Sequence, residues 1–268
     1  MKMKKTPEPA VPNYEPSKDE KSQISLMKKY LMSAILTAAF FAMQLMFSRI
    51  AFLISAPFNY SFLDPDGIFA QLSVHHIIQM ICALAVILLI QKVWKIEGFK
   101  LAPVFDPKGV KYTLSFCVVL TVYYLVIYIS GSFIGTIHTY DYELNVTNVL
   151  GMLSFQLLLS GPSEEILFRS LPITVLLSVL DPNSKRDRTA AVFGAALLFG
   201  AAHINVFTFS IPWFQVCYAC VLGVVYGYTF IRTKSIMYPM LMHSLSNVIS
   251  VGGCYVYMLG TISACNRG

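Results

Sequence analysis

Residues 157–180 read LLLSGPSEEILFRSLPITVLLSVL, an apolar run broken by Gly161-Pro162 and by three charges, Glu164, Glu165 and Arg169. Without the charges it would be an ordinary candidate for a helix crossing roughly 30 Å of hydrocarbon at about 1.5 Å per residue. Each charge at that depth costs at least about 2.5–3.5 kcal/mol. The charges therefore need a reason, provided that the chain belongs in a bilayer.

The rest of the sequence places it there. Of 268 residues, 13% are charged and 56% are hydrophobic, whereas a soluble domain carries about 25% charged residues. Mean hydropathy is +0.63. These values exclude a disordered chain, a soluble globular enzyme and a nucleic-acid binder. Seven apolar segments can be marked, at about 30–54, 68–91, 112–134, 147–180, 189–207, 211–231 and 235–260. Thirty of the 34 charges lie outside them; inside are only Arg49 and the three of the 164–169 cluster. The expected fold class is all-α, a polytopic transmembrane helix bundle of about seven spans. Segment 147–180 is too long for one straight span, and a proline in a helix interior kinks or breaks it. It is expected to form two half-helices or one kinked helix.

Lys and Arg set the orientation. Seven lie in residues 2–29, five in 92–111, three in 181–188 and two at 232 and 234, while loops 56–67 and 135–146 carry four acids and no base. The expected topology has a cytoplasmic N-terminus and a C-terminus on the opposite side. Residues 1–25 are polar and proline-bearing, the composition of a disordered cytoplasmic tail. Residues 26–268 are expected to form a single transmembrane domain. The basic loops imply anionic membrane lipid as a partner, and not nucleic acid.

On a helix, Glu165 and Arg169 stand four residues apart with the acid first, the favourable order for an ion pair. Glu164 is five from Arg169 and remains free, as a general base must be. Two further polar sets lie in apolar segments: Phe199-x-x-x-His203 and His243-x-x-x-Asn247. A carboxylate and an imidazole can hold and deprotonate water, and a second imidazole with an amide can donate to the oxyanion of a carbonyl under attack. Glu164, His203 and His243 could alternatively ligate zinc, since two histidines and a glutamate form a catalytic zinc set. The chain has no H-E-x-x-H, and an asparagine is a better oxyanion donor than zinc ligand, so the reading without a cofactor is favoured. His75 and His76 have no polar company in sequence and are expected only to line or border their span.

These motifs, E-E-x-x-x-R, F-x-x-x-H and H-x-x-x-N in that order, resemble those of the CAAX protease and bacteriocin-processing family, also called CPBP or Abi, in its bacterial branch. The resemblance covers about residues 147–250, the expected catalytic core. It implies that Glu164 and His203 activate water, that His243 and Asn247 stabilise the oxyanion, and that Glu165 and Arg169 support the site. It implies an endopeptidase of the CAAX prenyl protease 2-like type, acting on a membrane-embedded or lipidated peptide in a bacterial plasma membrane. Two other readings stay open: a bacteriocin-immunity or peptide-binding membrane protein that does not cut, and a proton-coupled transporter using Glu164, His203 and His243 as a relay.

Overall fold

The computed structural model describes residues 18–206, 208 and 210–265. Apart from one isolated antiparallel bridge between Asn205 and Ser210, the regular structure of these residues is helical. The helices are α1 Lys18–Ser55, α2 Ala70–Trp94, α3 Pro107–Ile134, α4 Val146–Phe155, α5 Gly161–Glu165, α6 Leu171–Val179, α7 Lys185–Ala201, α8 Trp213–Thr233 and α9 Met237–Cys265. Two π-helical turns, Gln156–Ser160 and Ile166–Ser170, join α4 to α5 and α5 to α6. Residues 146–179 are thus one unbroken helical run, and the seven expected apolar segments correspond to seven long helical runs. α1, α2, α3 and α8 are each long and apolar enough to cross a membrane. Of the other three runs, α7 has only 17 residues, 146–179 is divided by its two π turns, and α9 carries His243 and Asn247. The architecture is a helical membrane bundle.

Three expectations need correction. The helix begins at Lys18 and not near residue 26, so residues 18–25 are helical, with Asp19 and Glu20 in the first turn where acids complement the helix dipole. The rest of the expected tail lies outside the described residues. For segment 147–180 the correction concerns one of the two alternatives: the run is a single helix and not two half-helices, with Pro162 in the first turn of α5 and a wider π turn on either side of α5. Finally, the fifth apolar segment stops being helical at Ala201, so His203 lies in the following turn. There its ring caps the helix, with Nδ1 3.0 Å from the Phe199 carbonyl, one of the carbonyls that a helix end leaves unpaired.

α7 packs on α8, α3 on α9, and α1 on α2, while α5 lies between α2 and α9. Small residues bring α7 and α8 together: a Cβ at Gly223 would meet Ala196 Cα at 2.9 Å, and one at Gly227 would meet Val192 Cγ1 at 2.9 Å. Such contacts suit helices in lipid, where close backbone approach replaces the hydrophobic drive to associate. One buried cluster, with Phe47, Ile87, Phe168 and Phe199, fills the centre. A second, with Phe69, Phe155, Val251 and Tyr255, fills the end bearing loops 56–69 and 135–145. At that end the buried Asp64 carboxylate accepts from the Ile68, Phe69 and Ala70 amides over 2.7–2.9 Å, satisfying donors that open α2. The outward faces are apolar, with Leu88, Val119, Val122 and Ile129 exposed, as lipid contact requires. Arg49, exposed on α1, stacks over Phe52 at 5.6 Å.

Candidate active site

The site forms where the run 146–179 meets α9. Gly161 allows that approach, because a Cβ there would lie 2.7 Å from the Met240 carbonyl oxygen and 2.9 Å from the Ser244 amide. With the backbones so close, the residue before Ser244, His243, is delivered to the two glutamates that follow Gly161.

Glu165 and Arg169 are fully buried, with Arg169 Nη1 2.9 Å from Glu165 Oε1. The i, i+4 pair read from the spacing is present. Rings flank the same cation: the guanidinium carbon lies 4.1 Å from the centre of Phe199 and 5.2 Å from that of Tyr226, within reach of cation–π attraction strengthened by exclusion of water. This explains the phenylalanine of F-x-x-x-H, which also meets His203 and His243 edge-on at 5.1 and 5.6 Å. The same Glu165 oxygen accepts from His243 Nδ1 at 2.7 Å, and Tyr226 stacks on the imidazole at 5.3 Å. With Nδ1–H so engaged, Nε2 is the nitrogen left for chemistry.

Glu164 faces the other way, as the helical spacing of adjacent residues requires. Its side chain is 20% exposed, with Oε2 3.7 Å from His243 Nε2 and Oε1 3.8 Å from His76 Nδ1. These separations are longer than hydrogen bonds. A cavity of ≈ 270 Å³ opens beside it, lined by Glu164, His203, His243 and Asn247 together with His76 and Gln156. All four expected catalytic residues therefore border one space. His203 spends Nδ1–H on Phe199, which leaves its Nε2 as an acceptor. It makes no ion-pair contact with Glu164, so a shared water is the natural bridge between them. Asn247 donates from Nδ2 to Ser160 Oγ at 2.9 Å, which fixes the amide and leaves its second N–H.

Sequence reading missed His76. Its Nδ1 lies 2.9 Å from Ser163 Oγ, and that hydroxyl donates to the Ser160 carbonyl, so the imidazole is the donor of the pair. His76 reaches the site from α2, whose packing on α5 no motif spacing announces. His75 instead lies 3.5 Å from Ser48 Oγ. Among the described residues no group of three His, Cys, Asp or Glu side chains is arranged to hold a metal ion.

Residues 145–249 match the model of the family described as Type II CAAX prenyl endopeptidase Rce1-like. The similarity to that family covers 105 of the 268 residues. The matched segment coincides with the core of about 147–250 expected from the three motifs and contains Glu164, Glu165, Arg169, His203, His243 and Asn247. Neither the comparison with curated proteins nor that with solved structures returns a match. Together with the family similarity, four helices are long and apolar enough to cross a membrane, which points to an integral membrane protein. α1, α2 and α3 lie outside the Rce1-like segment, so His76 is an addition to the site from the unmatched part of the chain.

Proposed function

We propose that the chain hydrolyses a peptide bond of a membrane-embedded or lipidated peptide, using water held between Glu164 and His203. The observation that carries this reading is the position of Glu164, half-withdrawn from the packing, beside a small polar cavity and unbonded to either neighbouring imidazole. Glu164 takes a proton from the water as its oxygen bonds to the scissile carbonyl carbon. The oxyanion accepts from the Asn247 amide and, when the His243 ring carries both protons, from its Nε2–H. Glu165 supports that state of His243 by accepting from Nδ1. Collapse breaks the C–N bond, and Glu164 returns its proton to the leaving amine. No side-chain nucleophile and no cofactor is required.

The cytoplasmic side proposed for the N-terminus rests on the Lys and Arg residues gathered in 2–29, 92–111, 181–188 and at 232 and 234. The experiment compares purified wild type with Glu164→Gln on a panel of lipidated and transmembrane peptides. General-base catalysis contributes about 10²- to 10⁴-fold, and a near-isosteric amide should remove it while leaving thermal unfolding unchanged. A variant that cleaves at the wild-type rate would overturn the mechanism. Loss of wild-type activity in a strong chelator, with recovery on adding zinc, would overturn its metal-free form.

A further inference from the structure

A second, larger cavity of ≈ 830 Å³ lies at the end of the bundle formed by the loops after α2, α6 and α8. Its lining includes Lys95, Lys100, Lys185, Arg188, Arg232 and Lys234, against one carboxylate, Glu97. Arg188 Nη1 donates to the Pro182 and Asn183 carbonyls at 2.9 Å. Among the described residues none of the six cations has a carboxylate within 4.0 Å. Like charges held together without counter-charge repel, and they mark a place where an anion would be favourable.

The backbone adds an independent observation. Three non-glycine residues have positive φ among the described residues: Lys95 at 56°, Lys100 at 54° and Lys234 at 51°. All three belong to this cavity. The left-handed conformation is unfavourable for a side-chain-bearing residue, and such outliers cluster at ligand sites. Lys95 and Lys234 are also the C-caps of α2 and α8, positions usually taken by glycine. The loop between Lys95 and Lys100 is fixed in place. Phe99 is buried and its carbonyl accepts from Ser170 Oγ at 2.6 Å, while the Lys100 carbonyl accepts from the Ile236 amide at 3.1 Å. The lining also offers an apolar wall of Ile96, Leu177, Phe230 and Ile231, with Thr174, Ser178 and Thr189 among the polar residues beside it.

We propose that this cavity binds an anionic phospholipid, with its phosphate among Lys95, Lys100 and Lys234 and its glycerol and first methylenes against Leu177 and Ile231. A cationic rim over an apolar wall at the ends of membrane helices matches a lipid's own division between head and tail. In a bilayer that ligand is always at hand, and basic pockets between spans on the cytoplasmic side take such head groups. The site is separate from the peptidase cavity and does not depend on that activity.

The test uses the full chain in phosphatidylcholine nanodiscs containing a minor fraction of phosphatidylglycerol, with retained lipid counted by native mass spectrometry after extraction. Wild type should retain phosphatidylglycerol selectively. A K95Q/K100Q/K234Q variant should bind it at least about tenfold more weakly, as loss of three near-surface cations implies. A K92Q/K108Q/K111Q variant, with the same net charge but substitutions outside the cavity, should behave as wild type. Equal loss in both variants would reduce the effect to a diffuse field and overturn the proposal, as would undiminished retention in the first. Inorganic phosphate that displaces the lipid at millimolar concentration would overturn the lipid assignment in favour of free phosphate. Restored retention in K95R/K100R/K234R would support charge, and not local folding, as the cause.

Discussion

His243 donates from Nδ1 to Glu165 Oε1 over 2.7 Å, and that one contact decides which face of the imidazole meets the cavity. The oxygen also lies 2.9 Å from Arg169 Nη1, so a single buried carboxylate orients the histidine and balances the arginine. Glu165 is thereby committed to structure, and Glu164 is the carboxylate available for reaction.

Glu165→Gln should lower stability as well as turnover. Removing one member of a buried pair strands the other charge, at a cost of about 3–5 kcal/mol. Arg169 would be that charge, with only the Phe199 and Tyr226 rings beside it. A thermal or denaturant midpoint in detergent measures the effect. The double variant E165Q/R169M should regain part of the loss, because the isolated cation is gone. A single substitution with an unchanged midpoint would contradict the pairing.

His76→Phe should reduce turnover by about tenfold, the equivalent of one interaction of roughly 1.4 kcal/mol on the reacting side chain. The apolar ring keeps its contact with Phe155, whose centroid lies 4.9 Å away, so the unfolding midpoint should hold. His75→Phe is the matched control and should leave turnover near that of wild type. Equal rates for the two variants would remove His76 from the site.

Gly161→Ala should be poorly tolerated despite adding one methyl group. The new Cβ would press on the Met240 carbonyl and the Ser244 amide, and overpacking of this kind typically costs about 1–3 kcal/mol. Because α5 would be pushed from α9, activity should fall more than stability. Parallel assays of cleavage and thermal unfolding separate the two, and an active, stable G161A variant would show that the helices can part without harm.

Asp187 gives a pH dependence outside the membrane. The Asp181 amide at 2.9 Å and the Tyr30 hydroxyl at 2.7 Å hold its carboxyl below the usual carboxylate range. A carboxyl favoured as the anion in the fold contributes stability that is complete above the ordinary carboxylate range and is lost as pH falls through the lowered value. Asp187→Asn should therefore lower the midpoint at neutral pH, and the difference from wild type should shrink in acid. A constant difference across that range would assign the effect to packing.

Much of this was readable in the sequence because charge and periodicity are local properties. Apolar runs marked the seven helical runs, and the spacing of Glu165 and Arg169 marked their pair. Contacts between distant segments were not readable. His76 and Ser163 are separated by 87 positions, and only the packing of α2 on α5 makes them neighbours. Proline 162 left open two half-helices or one kinked helix, and the backbone forms a single run that contains two π turns. His203 was placed inside a span because residues 204–207 are mostly apolar, although the helix stops at Ala201.

The two π turns have one more consequence. Each accommodates an extra residue in its turn of helix, so the α5 segment is out of phase with a plain α-helix continued from α4. If the turn at Gln156–Ser160 rewound to plain α-helix with its residue count unchanged, everything beyond it would swing by about 100°. Glu164 would then face packed helices, and another residue would meet the water, although no side chain in the cavity had been altered. In this run the width of a turn acts like the tooth spacing of a gear, and the π turn keeps Glu164 meshed with the cavity.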